Sequence, residues 1–115
     1  MATKPINRYT VAEAGNLQVY EDYKSQEINC ASDDTYVEST DWTNTPAKSI
    51  TIIPYTGDAA GVITFNLKIK GTYGNDIVCL FDDFPITIDN LMVDRIKMKT
   101  ADSSTDEIFK ILSFH

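Results

Sequence analysis

Few side chains in this sequence could do acid–base or nucleophilic chemistry, and their spacing argues against most of it. The single histidine, His115, is the last residue, where chain ends fray and a positioned general base is not expected. A Ser-His-Asp or Cys-His arrangement would have to recruit it, and no G-x-S-x-G elbow exists to present a nucleophile. Acidic neighbours are plentiful: Asp33-Asp34, Asp82-Asp83 and Asp106-Glu107. Two carboxylates at the right separation suffice for a glycosidase. Adjacent acids in turn-like sequence are more simply solvated loop residues, and nothing around them signals a raised pKa. The expectation is that the chain is not an enzyme.

Metal and cofactor chemistry fares no better. Cys30, Cys79 and a terminal histidine cannot complete a four-ligand zinc site without carboxylates brought from elsewhere. The run Asp102-Ser103-Ser104-Thr105-Asp106-Glu107 has a side-chain oxygen at every position, which would suit calcium. It lacks the glycine and the spacing of an EF-hand loop, and a polar hairpin tip accounts for it. No phosphate-cradling glycine motif is present, and Gly57-Asp58-Ala59-Ala60-Gly61 leads into a strand and reads as a hairpin turn. No cofactor and no metal are therefore expected. The two cysteines are too few for a disulfide scaffold and are expected to be unbridged.

Two constellations suit binding instead. Trp42, in Asp41-Trp42-Thr43-Asn44, could stack on a sugar ring with help from Tyr36, Tyr55 and Tyr73. It could equally plug one end of a core, the simpler reading for so large an apolar side chain. Lys68 and Lys70 on one strand, with Arg95, Lys97 and Lys99 on another, hold half of the 10 basic residues. If those strands share a sheet they form a basic stripe, either a solvated outer face or a dock for an acidic protein surface.

The elements that would position these residues are strands. From Ile63 to Lys70, Ile63, Phe65, Leu67 and Ile69 alternate with Thr64, Asn66, Lys68 and Lys70, the period of a strand with one buried face. The run Ile77–Phe81 is apolar on both sides and predicts a central strand. Phe84, Ile86 and Ile88 alternate behind Pro85, which places that strand at an edge or starts it there. Leu91–Thr100 and Glu107–Phe114 predict a hairpin. In its first arm Leu91 and Val93 are apolar at odd positions, Ile96 and Met98 at even ones. A β-bulge at Asp94-Arg95 would bring all four to one face. Thr35–Ser39 and Ser49–Ile53 predict further strands. Residues 8–23 read as two strands turning at Gly15-Asn16 or as a short helix over Val11–Ala14.

Together these predict an all-β fold, a single-domain β-sandwich or barrel of about seven to eight short antiparallel strands. Residues 1–6 are expected to form a flexible arm before one domain spanning 7–115.

Glu107–Phe114 is apolar on both sides, with Ile108, Leu112 and Phe114 on one and Phe109 and Ile111 on the other. A terminal strand of a two-layer domain ordinarily keeps one wet face, so Phe109 and Ile111 are expected at a subunit interface or under a loop of the same chain. Their full burial within the chain itself would leave self-assembly unsupported by this strand. A net charge of −7 repels a phosphate backbone, so nucleic acid is not an expected partner. No apolar run approaches the roughly 18 residues of a membrane-spanning helix, so no membrane association is expected. The opening Met1-Ala2-Thr3-Lys4-Pro5 is unlike a signal peptide, which implies synthesis in the cytoplasm.

The stretch from Leu91 to Phe114 resembles the end of small structural proteins of tailed bacteriophage virions. In those, a strand of the type Ile96-Lys97-Met98-Lys99-Thr100-Ala101 leads through a Ser/Thr/Asp loop into a closing strand. The resemblance implies a β-sandwich or barrel used in capsid decoration, head–tail joining or fibre attachment, located in the virion. The partner would be a capsid, tail or fibre protein or a second copy in a homo-oligomer, with no active site to carry over. The alternative is a carbohydrate-binding β-sandwich built on Trp42 and nearby tyrosines.

Overall fold

The alternation from Ile63 onward does what period two dictates: Ile63 and Phe65 are buried while their neighbours turn outward. The computed structural model describes residues 22–31, 34–101 and 106–115. Among these, nine strands form: β1 Tyr23–Cys30, β2 Val37–Glu38, β3 Ala47–Thr56, β4 Val62–Ile69, β5 Thr72–Tyr73, β6 Ile77–Leu80, β7 Ile86–Val93, β8 Arg95–Thr100 and β9 Glu107–Phe114. They make two antiparallel sheets, a four-stranded one in the order β1-β9-β3-β7 and a five-stranded one in the order β2-β8-β4 with β5 and β6 beyond β4. β1 lies over β2 and β8, and β7 over β4, so the sheets close face to face as a β-sandwich.

The core between the sheets is drawn from both. Ile28, Ile50, Ile52, Phe109 and Ile111 come from one sheet, and Ile63, Phe65, Ile96 and Met98 from the other. One end is aromatic. Phe109 lies 4.7 Å from Phe84 and 5.2 Å from Phe81 between ring centroids, and Phe84 continues to Phe65 at 6.2 Å.

Three expectations change. Leu91–Thr100 and Glu107–Phe114 are not a hairpin: β8 pairs with β2 and β4, β9 with β1 and β3. Their connection therefore passes between sheets. The parity change in the first arm is real but has another cause. At Asp94 the chain leaves one sheet for the other, and Val93, Ile96 and Met98 meet in the shared core from opposite sides. The irregularity sits earlier, where Ala47↔Val93 is followed by Ser49↔Asp89. Asn90, with φ 61°, begins the extra residues, and Leu91 and Met92 are pushed out to 39% and 50% exposure. Finally, among the described residues β6 pairs with β4 alone, at an edge of its sheet rather than at its centre. The arm 1–6, the two-strand and helix alternatives as far as residue 21, and residues 102–105 of the expected hairpin loop lie outside the described residues.

Candidate functional site: the outward sheet faces and an open edge

Cross-strand register decides the fate of the basic stripe. β4 and β8 are neighbours, with Thr64↔Lys99, Asn66↔Lys97 and Lys68↔Arg95 paired. Lys68, Arg95, Lys97 and Lys99 thus share one outward face. Lys70 does not join them. With φ 53° it is followed by Gly71 at φ 81°, and Ile69↔Thr72 closes around them. Positive φ at both central residues is the two-residue hairpin turn that matches strand twist. Asp94, buried at the sheet crossing, accepts the Gly71 N–H at 2.8 Å and fixes that turn.

Two of the four cations carry counterions, and the others lie over aromatic rings. Arg95 meets Glu38 at 3.5 Å and Lys99 meets Asp34 at 3.4 Å. The Lys97 ammonium sits 4.3 Å from the Tyr36 ring and 4.2 Å from the Tyr73 ring, with Lys99 4.9 Å from Tyr36. Each phenol donates to a carboxylate, Tyr36 to Asp76 at 2.5 Å and Tyr73 to Glu38 at 2.6 Å. Asn66 beneath them donates to the Gly74 carbonyl at 2.7 Å and to Asp76 at 2.9 Å. Burial, then the bond to Asp76, pushes the Tyr36 phenol up to about 12. Burial and the bond to Glu38 raise Tyr73 likewise. The same phenols hold Glu38 and Asp76 below the usual carboxylate range. The carboxylates of Glu38 and Asp34 thus offset part of the positive charge on this face.

Phe109 and Ile111 are not surface groups. Both are fully buried within their own chain, so neither is available to a partner. Pairing with β1 and β3 turns the odd-numbered residues of β9 inward, and Ile108, Leu112 and Phe114 lie on the opposite, half-buried side.

The inward series continues to His115, which is buried rather than frayed. Its main chain exchanges hydrogen bonds with Asp22 at 2.7 and 3.2 Å. Nδ1–H donates to the Thr45 carbonyl at 2.6 Å, and Nε2 shares a 2.9 Å hydrogen bond with the Ser113 hydroxyl, which also reaches the Lys24 carbonyl at 3.4 Å. This pair has the form of an activated nucleophile, but Ser113 is 1% and His115 0% exposed, so no substrate meets it. The odd-numbered period of Phe109, Ile111 and Ser113 was the signal that placed His115. Trp42 lies against the imidazole, 5.4 Å away and edge-on, and is 4% exposed. It plugs the core and offers no stacking platform for a sugar.

Cys30 and Cys79 are both free. Burial, with the charge of Glu107 second, pushes Cys30 up to about 12, and burial, with Asp83 second, raises Cys79. Neither is a poised thiolate. Cys30 is paired across the ladder with Glu107, a fully buried carboxylate. Glu107 accepts the Asp58 N–H at 2.8 Å and the Thr100 hydroxyl at 3.2 Å, tying the 57–61 turn to the sandwich.

The feature that the sequence did not reveal is the β6 edge. Ile77, Val78 and Leu80 are 45%, 64% and 44% exposed, and Val62, opposite Leu80 on β4, is 39% exposed. The Phe81 N–H points back to Gly61. Antiparallel alternation therefore aims the N–H and C=O of Val78 at the open edge. The outward N–H of Leu80 is taken by the Asp83 carboxylate at 2.9 Å. Asp76 precedes the strand, and Asp82 and Asp83 follow it.

No known family model matches this sequence, and no curated protein matches it.

Proposed function

We propose that this chain is a non-enzymatic structural module that docks on a protein surface, of the kind used as accessory proteins in tailed-phage virions. The observation that carries the reading is the β6 edge. Ordinary soluble domains blunt such edges with lysine, proline or a bulge. Here three apolar side chains and the Val78 backbone stand open, and only Leu80 is capped. Acids at both ends of β6 choose between occupants. Two copies pairing antiparallel along this edge would bring Asp76 of one toward Asp82 and Asp83 of the other, so self-pairing there is opposed. A surface with an apolar row rimmed by lysine or arginine is favoured instead. The full burial of the Ser113–His115 pair supports a role without catalysis.

Add-back to particles tests this. Particles assembled without the chain should take up the purified protein to a fixed copy number, less tightly at high salt, and should not take up Val78→Lys. Absence of uptake at saturating wild-type protein, or uptake unaffected by Val78→Lys, contradicts the reading.

A further inference from the structure

The β6 edge carries a hydrogen-bonding pattern as well as an apolar one. The Phe81 N–H bonds to the Gly61 carbonyl at 2.8 Å, one step beyond the last pair of the ladder, Val62↔Leu80. Antiparallel alternation then gives Cys79↔Ile63 and Ile77↔Phe65 the hydrogen-bonded positions and turns the backbone groups of Val78 and Leu80 away from β4. Leu80 is withdrawn from the edge: its N–H goes to the Asp83 carboxylate at 2.9 Å, and the chain turns at once into the 3₁₀ helix Phe81–Asp83. The Val78 N–H and carbonyl remain, open among the described residues. Val78 and Leu80 stand on the outer face beside Val62, and all three are exposed. The Asp76 carboxylate is pinned at one end of the strand by Tyr36 and Asn66, while Asp82 and Asp83 lie at the other. None of these three acids is in a salt bridge with a described lysine or arginine.

We propose that β6 is a docking edge for a short extended strand of a protein partner, apolar in its middle and basic at its ends, which pairs with both backbone groups of Val78. This names the partner chemistry of the docking role proposed above and rests on it. Backbone chemistry is the first support. A partner surface made of side chains alone, packed on Val78 and Leu80, would strip water from the Val78 N–H and carbonyl and return no hydrogen bond, at the desolvation cost of both groups. An extended segment supplies both bonds and lays alternate side chains beside Val78. Charge is the second. Lysine or arginine at the ends of the added strand meets Asp76 on one side and Asp82 and Asp83 on the other, whereas a second copy of this chain brings acids to acids. The cap on Leu80 is the third. With its N–H taken and the chain turning into the 3₁₀ helix, pairing stops there. The edge therefore accepts one short strand and does not continue as a growing sheet.

Calorimetric titration with the synthetic peptide Lys-Val-Thr-Val-Thr-Val-Lys, run beside the particle uptake, tests the proposal. The wild-type chain should bind the peptide, and so should Val78→Thr, which keeps the backbone N–H. Val78→Pro removes that N–H, which faces away from β4, and leaves the ladder intact. Its binding should weaken on the order of tenfold or more. The same loss is expected on the wild-type chain for the peptide N-methylated at every residue between its lysines, which covers a Val78→Pro that fails to fold. Exchanging both lysines of the peptide for glutamate should weaken binding similarly. No binding by the wild type at millimolar peptide, or undiminished binding of the N-methylated or the glutamate peptide, overturns the proposal. Particle uptake separates it from the docking role. Uptake of Val78→Pro at the wild-type level, with Val78→Lys rejected, keeps surface docking and overturns strand pairing. Peptide binding that is lost on N-methylation, without particle uptake of the wild type, keeps the strand edge and overturns the particle role.

Discussion

Phe109→Ala separates a core residue from a partner-binding one. The ring is fully buried and packs on Phe84 at 4.7 Å and Phe81 at 5.2 Å. Truncating a buried phenylalanine loses its transfer free energy and leaves a cavity, for about 3–5 kcal/mol. That compares with the roughly 5–15 kcal/mol of net stability expected of a domain this size. At about 4 °C per kcal/mol for this length, the midpoint of thermal unfolding should fall by about 12–20 °C. Urea unfolding followed by the fluorescence of Trp42, the only tryptophan, measures the loss directly. Trp42 is buried against His115 and senses global unfolding. Lys110→Ala, on the exposed side of the same strand, should stay within about 0.5 kcal/mol. A Phe109→Ala loss below about 1 kcal/mol, accompanied by weaker self-association in sedimentation, would refute this placement of β9.

Three further outcomes follow from the same geometry. Gly61→Ala should destabilise by about 1–3 kcal/mol in urea unfolding, because its Cβ would stand 2.6 Å from the buried Glu107 Oε1 and displace the hydrogen bond it accepts from Thr100; a neutral result would show that the 57–61 turn can shift freely. Thiol titration should find two reactive thiols in unfolded, unreduced protein and a silent Cys30 in native protein, since burial pushes its pKa up to about 12; rapid native labelling of both would contradict this. Ultraviolet titration of the phenols should show Tyr36 ionising near 12 and Tyr73 raised as well. Folded-state pKa values above the unfolded value of about 10 mean that the native chain holds more protons in that window, so this stabilisation is complete below pH 10 and is lost as pH rises through the folded values. Ordinary titration of all the tyrosines would break the lattice.

What could be read from the residues follows from how each element buries its side chains. β4 alternates cleanly because one face is core and the other polar, so the fold class and the β4–β8 stripe were both legible. β1 was not, because as an edge strand it contributes only Ile28 and Cys30 to the core while Lys24 and Gln26 occupy its other inward positions. β6 misled in the opposite sense. An apolar run on both sides signals a central strand when both sides are buried, and here the outward side is open. Lys70 looked like a stripe residue until the positive φ of the turn removed it. The inward setting of Phe109 and Ile111 depended on which strands flank β9, a long-range property that local periodicity does not carry. The lysine–tyrosine lattice needed the β2–β8 register, with Glu38 facing Lys97.

Under the proposed function, this chain is a stoichiometric part of an assembled particle that it joins by surface docking. Quantitative mass spectrometry of particles purified from the source culture tests it most directly. The chain is expected in the particle fraction at a fixed whole-number ratio to the most abundant shell or tail protein, and the Val78→Lys chain is expected to be missing from particles made with it. Particles that assemble with none of it, while the wild-type chain stays wholly in the soluble fraction, would rule out a role as a particle component.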